Sequence, residues 1–340
     1  MKPSLITSQL DALYTADIQK PIMLWGPPGV GKSEVIRQLA ESRGMILNDV
    51  RTILLDPVDL RGLPYVDKDT GVAHQAIPDF LPPSNSDEHF LLFLDELTSA
   101  PKQVQGACYQ LILDGKIGNY TLPKNCQIVA AGNRKSDRGV VNEMPVPLKN
   151  RFVHIDFELD FNDWLDWATT KNPNTVSGTN IAPEIISFIR FKPDALHDMQ
   201  LDQNAFPTPR TWEYVSDIIP ALQKASEFDM IQGTIGEGYA GEFLAFLRIW
   251  RELPNPDAVI MNPTKAEVPE DPATLYALMG ALSTRANEVN FDNVATYAAR
   301  VPTEFQVILV RDAIQREPDI CNTPSFSDWA DKNQKTLRAA

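Results

Sequence analysis

Cysteine and histidine are scarce in this chain. Cys108, Cys126 and Cys321 stand too far apart for a zinc knuckle, and an odd number makes no disulfide framework. His74, His89, His154 and His197 show no ligand spacing, so they read as ordinary surface or core histidines. Positive charge is also in short supply. With 31 Lys and Arg against 45 Asp and Glu the formal charge is −14, which disfavours broad electrostatic adhesion to nucleic acid or an anionic membrane. No apolar run approaches the length needed to cross a bilayer, and Met1 to Leu10 lacks the apolar segment of a secretion signal. A reduced, cytoplasmic setting is the expectation. The 340 residues are of ordinary globular composition, carry no internal repeat and suffice for two or three domains.

One stretch organises the rest. Gly26-Pro27-Pro28-Gly29-Val30-Gly31-Lys32-Ser33 places four residues between Gly26 and Gly31 ahead of Lys-Ser, the phosphate-binding pattern of a P-loop. Its context is the required one: Pro21 to Trp25 is a short apolar run suited to a buried strand, and Glu34 to Ser42 repeats apolar residues at helical spacing. Each residue type has a reason. Glycines let the backbone wrap around phosphate oxygens, the helix start offers unpaired N–H groups, Lys32 reaches the β and γ phosphates, and Ser33 suits Mg²⁺. The phosphates of a nucleotide and Mg²⁺ are therefore the expected ligands, with no other metal.

Two further strands end in polar residues. His89 to Leu94 is nearly all apolar and runs into Asp95-Glu96, which predicts a strand buried on both faces that delivers its carboxylates to the edge where the P-loop opens. Asp95 is then placed to hold Mg²⁺ and Glu96 to orient the attacking water. Gln127 to Gly132 is another buried strand, ending at Asn133, whose amide can both donate and accept next to a γ-phosphate; a turn residue is the plain alternative. Arg134, Lys135, Arg138, Lys149 and Arg151 make the one locally basic stretch, before a strand over Val153 to Phe157. An arginine here serves either an internal salt bridge or a neighbouring molecule's nucleotide, and spacing does not choose between them.

Ser4 to Ala16 predicts a helix ahead of the first strand, and Met45 to Val50 a second strand. Hairpins are expected at 63–75 and 116–122. The Asp67-Lys68-Asp69-Thr70-Gly71 turn is not a calcium loop, because no glutamate follows at the bidentate position. From Asp160 on the pattern is helical, over 164–168, 184–191, 211–222, 241–250, 273–287, 293–299 and 304–316, with loops at 172–183 and 254–272. The expected division is an α/β nucleotide-binding domain at 1–158, a helical lid at 159–253 and a helical extension at 254–340.

Roughly the first 230 residues resemble an AAA+ ATPase of the MoxR-like branch. The resemblance is carried by the P-loop, Val-Asp-Leu-Arg-Gly-Leu-Pro at 58–64, Phe-Leu-Asp-Glu-Leu-Thr-Ser-Ala-Pro at 93–101, Ala-Ala-Gly-Asn at 130–133, Leu-Lys-Asn-Arg-Phe at 148–152 and Thr-Pro-Arg at 208–210. It implies an α/β P-loop NTPase core with a parallel sheet, then an all-α lid and helical extension. Asp95 and Glu96 look like Walker B, Asn133 like sensor 1, Arg151 like the finger supplied to an adjacent subunit, with Arg134 or Arg138 as substitutes, and Arg210 like sensor 2. The hairpins look like the helix-2 insert and pre-sensor-1 hairpin, which face a pore or client. The pattern departs from the family at Asn150, where an Asp is usual. The resemblance implies a homo-oligomeric, hexameric ring that hydrolyses ATP to remodel or activate a protein client in a chaperone-like way, with a von Willebrand factor A-domain protein as partner. The alternatives are a nucleic-acid motor or restriction-type GTPase subunit, which would call for more basic hairpins, and a scaffold that binds nucleotide without hydrolysing it.

Overall fold

The computed structural model describes residues 1–137, 142–200 and 202–337. They divide into two compact units, Met1–Asp160 and Phe161–Ala340. The first unit runs α1 (Pro3–Thr15), β1 (Ile22–Trp25), α2 (Lys32–Ser42), β2 (Ile46–Arg51), α3 (Pro57–Arg61), a hairpin of β3 (Pro64–Val66) and β4 (Ala73–Gln75), β5 (Phe90–Asp95), α4 (Lys102–Asp114), a second hairpin of β6 (Lys116–Ile117) and β7 (Tyr120–Thr121), β8 (Cys126–Gly132), α5 (Val146–Lys149) and β9 (Val153–Asp156).

Five strands form a parallel sheet in the order β2-β5-β8-β1-β9. Their apolar content follows position. β8 is buried along its whole length and β5 at all but its last residue, so both read as continuous apolar runs. The edge strands β2 and β9 carry Asn48, Asp49, His154 and Asp156. Alternate side chains feed two cores. Ile22, Leu24, Leu91, Phe93, Val129 and Ala131 pack against Ile6 and Leu10 of α1 and Val35, Ile36 and Leu39 of α2. Met23, Leu92, Leu94, Ile128 and Ala130 pack on the other face against Val104, Cys108 and Leu111 of α4. Each fully buried large side chain contributes roughly 1.5–3 kcal/mol, and these contacts fix the sheet as the rigid base of the loops above it.

The register sets those loops at one height. Trp25 pairs with Gly132 and with Asp156, and Leu94 with Ala130. The chain therefore leaves β1 at Gly26, β5 at Glu96 and β8 at Asn133 along one carboxyl edge, where ligands bind in open parallel sheets.

The second unit is all helical: α6 (Phe161–Thr169), α7 (Pro183–Phe191), α8 (Pro209–Ile218), α9 (Glu227–Ile235), α10 (Glu237–Glu252), α11 (Pro256–Met261), α12 (Pro272–Ser283), α13 (Phe291–Ala298), α14 (Thr303–Arg316) and α15 (Pro324–Leu337). Its central helix is α12, buried from Leu275 to Ser283 except at Tyr276 and in contact with α7, α10 and α14. Gly280 lets α7 come close, since a Cβ there would lie 2.0 Å from Ser187 Oγ. Arg190 of α7 and Asp312 of α14 form a buried, two-pronged ion pair. The expected boundary at 253/254 is thus not a division of the structure. A helix apolar on nearly every side has to be surrounded, and the helices around α12 come from both sides of that boundary.

The expected strands and hairpins are present within a residue or so at each end. Additional elements are α3, α5, α9, α11 and α15. Among the described residues no helix is long and apolar enough to cross a membrane.

Candidate nucleotide-binding site

The P-loop joins β1 to α2. Gly31, the residue before α2, has φ 98°, a left-handed conformation that side chains disfavour, although a Cβ there would meet nothing within 4 Å. Glycine is needed at this point for its backbone freedom rather than for space. No side chain caps the start of α2, so the N–H groups of its first turn face outward as an anion site reinforced by the helix dipole. Gly26 N–H donates to Gly132 O (3.2 Å), tying the loop's base to β8.

Lys32 folds over its own loop. Its side chain is buried, and Nζ donates to Gly26 O (2.7 Å), Pro27 O (2.7 Å) and Asn133 Oδ1 (3.3 Å). The last bond links the loop to Asn133 and identifies the Asn133 amide oxygen as an acceptor turned toward the site. Ser33 Oγ donates to Asp95 Oδ2 (2.8 Å). A hydroxyl and a carboxylate in contact are two hard oxygen donors suited to Mg²⁺, which takes its remaining ligands from phosphate and water. Among the described residues no three His, Cys, Asp or Glu gather to hold a metal by themselves.

Glu96 sits at φ 56°, in the left-handed region, and its N–H donates to Asp95 Oδ1 (2.9 Å). A non-glycine residue so held costs about 1–3 kcal/mol, and such strain is concentrated at functional positions. The turn bends the chain off β5, so that the Asp95 carboxylate is fixed by Ser33 and the Glu96 side chain is left exposed beside it.

Several residues that shape this edge have no role legible in the sequence. Thr98 is buried, accepts from Asn133 N–H (3.0 Å) and donates to Asn133 O (3.2 Å), clamping the Asn133 backbone to the segment after Asp95-Glu96. Thr52 Oγ1 donates to Asp95 O (2.8 Å). Asp49 precedes Arg51 on β2, and Arg51 pairs with Asp95 in register. Burial and the nearby Asp95 charge raise the Asp49 carboxyl above its usual range, with Arg51 partly offsetting. No spacing rule would have found these, because each depends on which strands become neighbours.

The basic stretch separates into distinct roles. Arg134 is held within its own chain by Asp156 (2.8 Å) and the Trp25 carbonyl (3.3 Å). Lys135 and Lys149 flank Glu143 at 3.6 and 3.5 Å and lower its carboxyl. Arg151, just past α5, is exposed and forms no ion pair with a described residue. Arg138 lies outside the described residues. Arg210 belongs to the second unit, exposed in the first turn of α8, whose start is capped by a Thr208–Thr211 capping box.

The β3–β4 hairpin exposes Leu63 (69%), Tyr65 (54%), Val66 (63%) and Val72 (51%). Asp67 Oδ1 accepts the N–H groups of Asp69 and Thr70 at its turn.

Sheet order, P-loop and carboxyl-edge residues together define the class: an α/β P-loop NTPase fold followed by a helical unit. A family described as a protein of unknown function (DUF815) matches residues 5–144. No curated protein matches the chain. Among solved structures, the Thermotoga maritima RuvB Holliday junction branch migration motor is similar at 18% identity, over 82% of this chain and 80% of that one, with a TM-score of 0.38. A Thermotoga maritima DNA polymerase III gamma subunit-related protein is similar at 11% identity, over 91% and 99%, with a TM-score of 0.38. NtrX from Brucella abortus is similar at 15%, over 71% and 67%, with a TM-score of 0.33. Likenesses at TM-scores this low carry no weight on function, which rests on the residues described above.

Proposed function

We propose that the chain is an ATP-hydrolysing AAA+ protein of the MoxR-like branch, which assembles into a hexameric ring and remodels or activates a protein client. The observation that carries this reading is the meeting of Lys32, Ser33, Asp95, Glu96 and Asn133 on one sheet edge, joined by the Ser33–Asp95 and Lys32–Asn133 bonds. Lys32 and the first turn of α2 bind the phosphates, and Ser33 with Asp95 would hold Mg²⁺. Bound there, the ion would supply neutralisation of phosphate charge. Glu96 orients the attacking water, and Asn133 fixes it against the γ-phosphate. Arg151, exposed and without an ion pair among the described residues, is the cation offered to a neighbouring subunit, so hydrolysis and assembly become one process. Arg210 keeps the sensor role that the resemblance assigns it, and a von Willebrand factor A-domain partner belongs to the same reading.

The apolar hairpin surface at Leu63, Tyr65, Val66 and Val72 supports a protein client over a polyanion, since the tip offers only Lys68 as a cation. Binding of a fluorescent ATP analogue should be lost in Lys32→Ala; unchanged affinity would remove the P-loop assignment. Glu96→Gln should bind ATP without releasing phosphate, and nucleic acid rather than protein co-purifying with that form in ATP would refute the protein-client reading.

A further inference from the structure

The strand that feeds the P-loop is bonded to the turn that presents Arg151 through one imidazole. Trp25, the last residue of β1, donates its indole Nε1–H to His154 Nδ1 (2.8 Å), and His154 Nε2 lies 2.8 Å from Lys149 O. The two rings lie 28° from parallel with centroids 5.8 Å apart. The indole nitrogen can only donate and the carbonyl can only accept. A single species of the imidazole satisfies both, the neutral tautomer with its proton on Nε2. The Lys149 carbonyl belongs to the last residue of α5, two residues before Arg151, and it also accepts Phe152 N–H at 3.3 Å.

We propose that His154 is a positioning residue for Arg151: by bridging Trp25 to Lys149 it holds the Arg151 turn at a fixed place against the base of the P-loop. The node is a junction for the whole edge. The Trp25 carbonyl accepts from Phe157 N–H (2.7 Å) and from Arg134 (3.3 Å), and the next residue, Gly26, receives Lys32. A shift of the P-loop base therefore reaches the Arg151 turn through this ring as well as through the β1–β9 backbone ladder. The charged groups around the bridge are Asp156 on the same strand, Arg134 bonded to it, Lys149 on α5 and Glu143 bonded to Lys149. This inference rests on the role proposed for Arg151.

The test combines kinetics with a tautomer measurement on the full chain. His154→Phe removes both bonds of the bridge and Trp25→Phe only the indole bond; Trp25→Phe keeps an aromatic ring in place and serves if His154→Phe does not fold. Each should lower kcat about three- to tenfold, the worth of one hydrogen bond, with nucleotide affinity unchanged. In a background of Arg151→Lys, chosen to leave measurable turnover, neither should lower kcat further, because residues acting through one another are not additive. Nitrogen-15 spectra of wild-type His154 should show a protonated Nε2 and an unprotonated Nδ1. Multiplying losses, a loss of nucleotide affinity, or a proton found on Nδ1 would overturn the inference alone. Wild-type turnover in Arg151→Ala would instead overturn the reading beneath it.

Discussion

Replacing Thr98 by valine isolates the clamp on Asn133. Valine has nearly the shape of threonine, so the change removes one hydroxyl and little packing. The residue is 1% exposed, and its hydroxyl is the partner of Asn133 N–H at 3.0 Å and of Asn133 O at 3.2 Å. Water has little access to replace it, and a backbone donor left unpaired costs about 1–3 kcal/mol. Room for adjustment is small, because a Cβ on Gly132 would already lie 2.5 Å from Thr98 Oγ1. The stability loss should appear in urea unfolding as a lower midpoint at unchanged slope. Function should suffer as well: if about 1.4 kcal/mol of the loss is felt where Asn133 meets the transition state, kcat falls about tenfold. Thr98→Ser, which keeps the hydroxyl, should restore most of the rate while losing a methyl group's packing. A Thr98→Val protein with wild-type stability and wild-type phosphate release would refute the claim that this hydroxyl positions Asn133.

Asp312→Ala strands the buried Arg190 guanidinium and should cost about 3–5 kcal/mol, whereas Arg190→Met with Asp312→Leu should recover most of it; denaturant titration of the three proteins checks this. The Glu227 carboxyl is held below its ordinary value chiefly by side-chain bonds from Arg251. A depressed carboxyl contributes stability above its unfolded value and loses it as pH falls through the folded one, so stability should drop below roughly pH 4.3 and drop less steeply in Arg251→Met, measured by chemical denaturation across pH. Ser33→Ala removes the hydroxyl donor beside Asp95 and should raise the Mg²⁺ needed for half-maximal hydrolysis about tenfold, the worth of about 1.4 kcal/mol; an unchanged Mg²⁺ titration would detach Ser33 from the metal.

What the sequence revealed and what it concealed have physical causes. β5 and β8 were legible because strands buried on both faces need uninterrupted apolar runs, and their ends at Asp95 and Asn133 pointed to the sheet's carboxyl edge. The P-loop was legible because its glycine spacing is set by phosphate geometry. Thr98, Thr52 and the Trp25–His154 bridge were not, since their partners are dozens of residues away in the chain and become neighbours only through strand order. α15 was missed because its packed apolar residues, Phe326, Trp329 and Ala330, span little more than one turn of an otherwise polar stretch, and α9 because Gly233 interrupts its pattern. The boundary expected at 253/254 reflected a Pro-rich acidic stretch, but the burial of α12 is a tertiary fact that local composition does not express.

The central claim is that a hydrolysis centre is completed by Arg151 from a second copy of the chain. Its most direct measurement is phosphate release from a mixture of Lys32→Ala and Arg151→Ala proteins, each inactive alone. Activity should reappear on mixing, because some junctions then pair an intact P-loop with an intact Arg151, and wild-type specific activity should rise with protein concentration. Mixed assemblies that form and stay silent, or a wild-type rate per chain indifferent to concentration in a protein that remains monomeric with ATP and Mg²⁺, would contradict it.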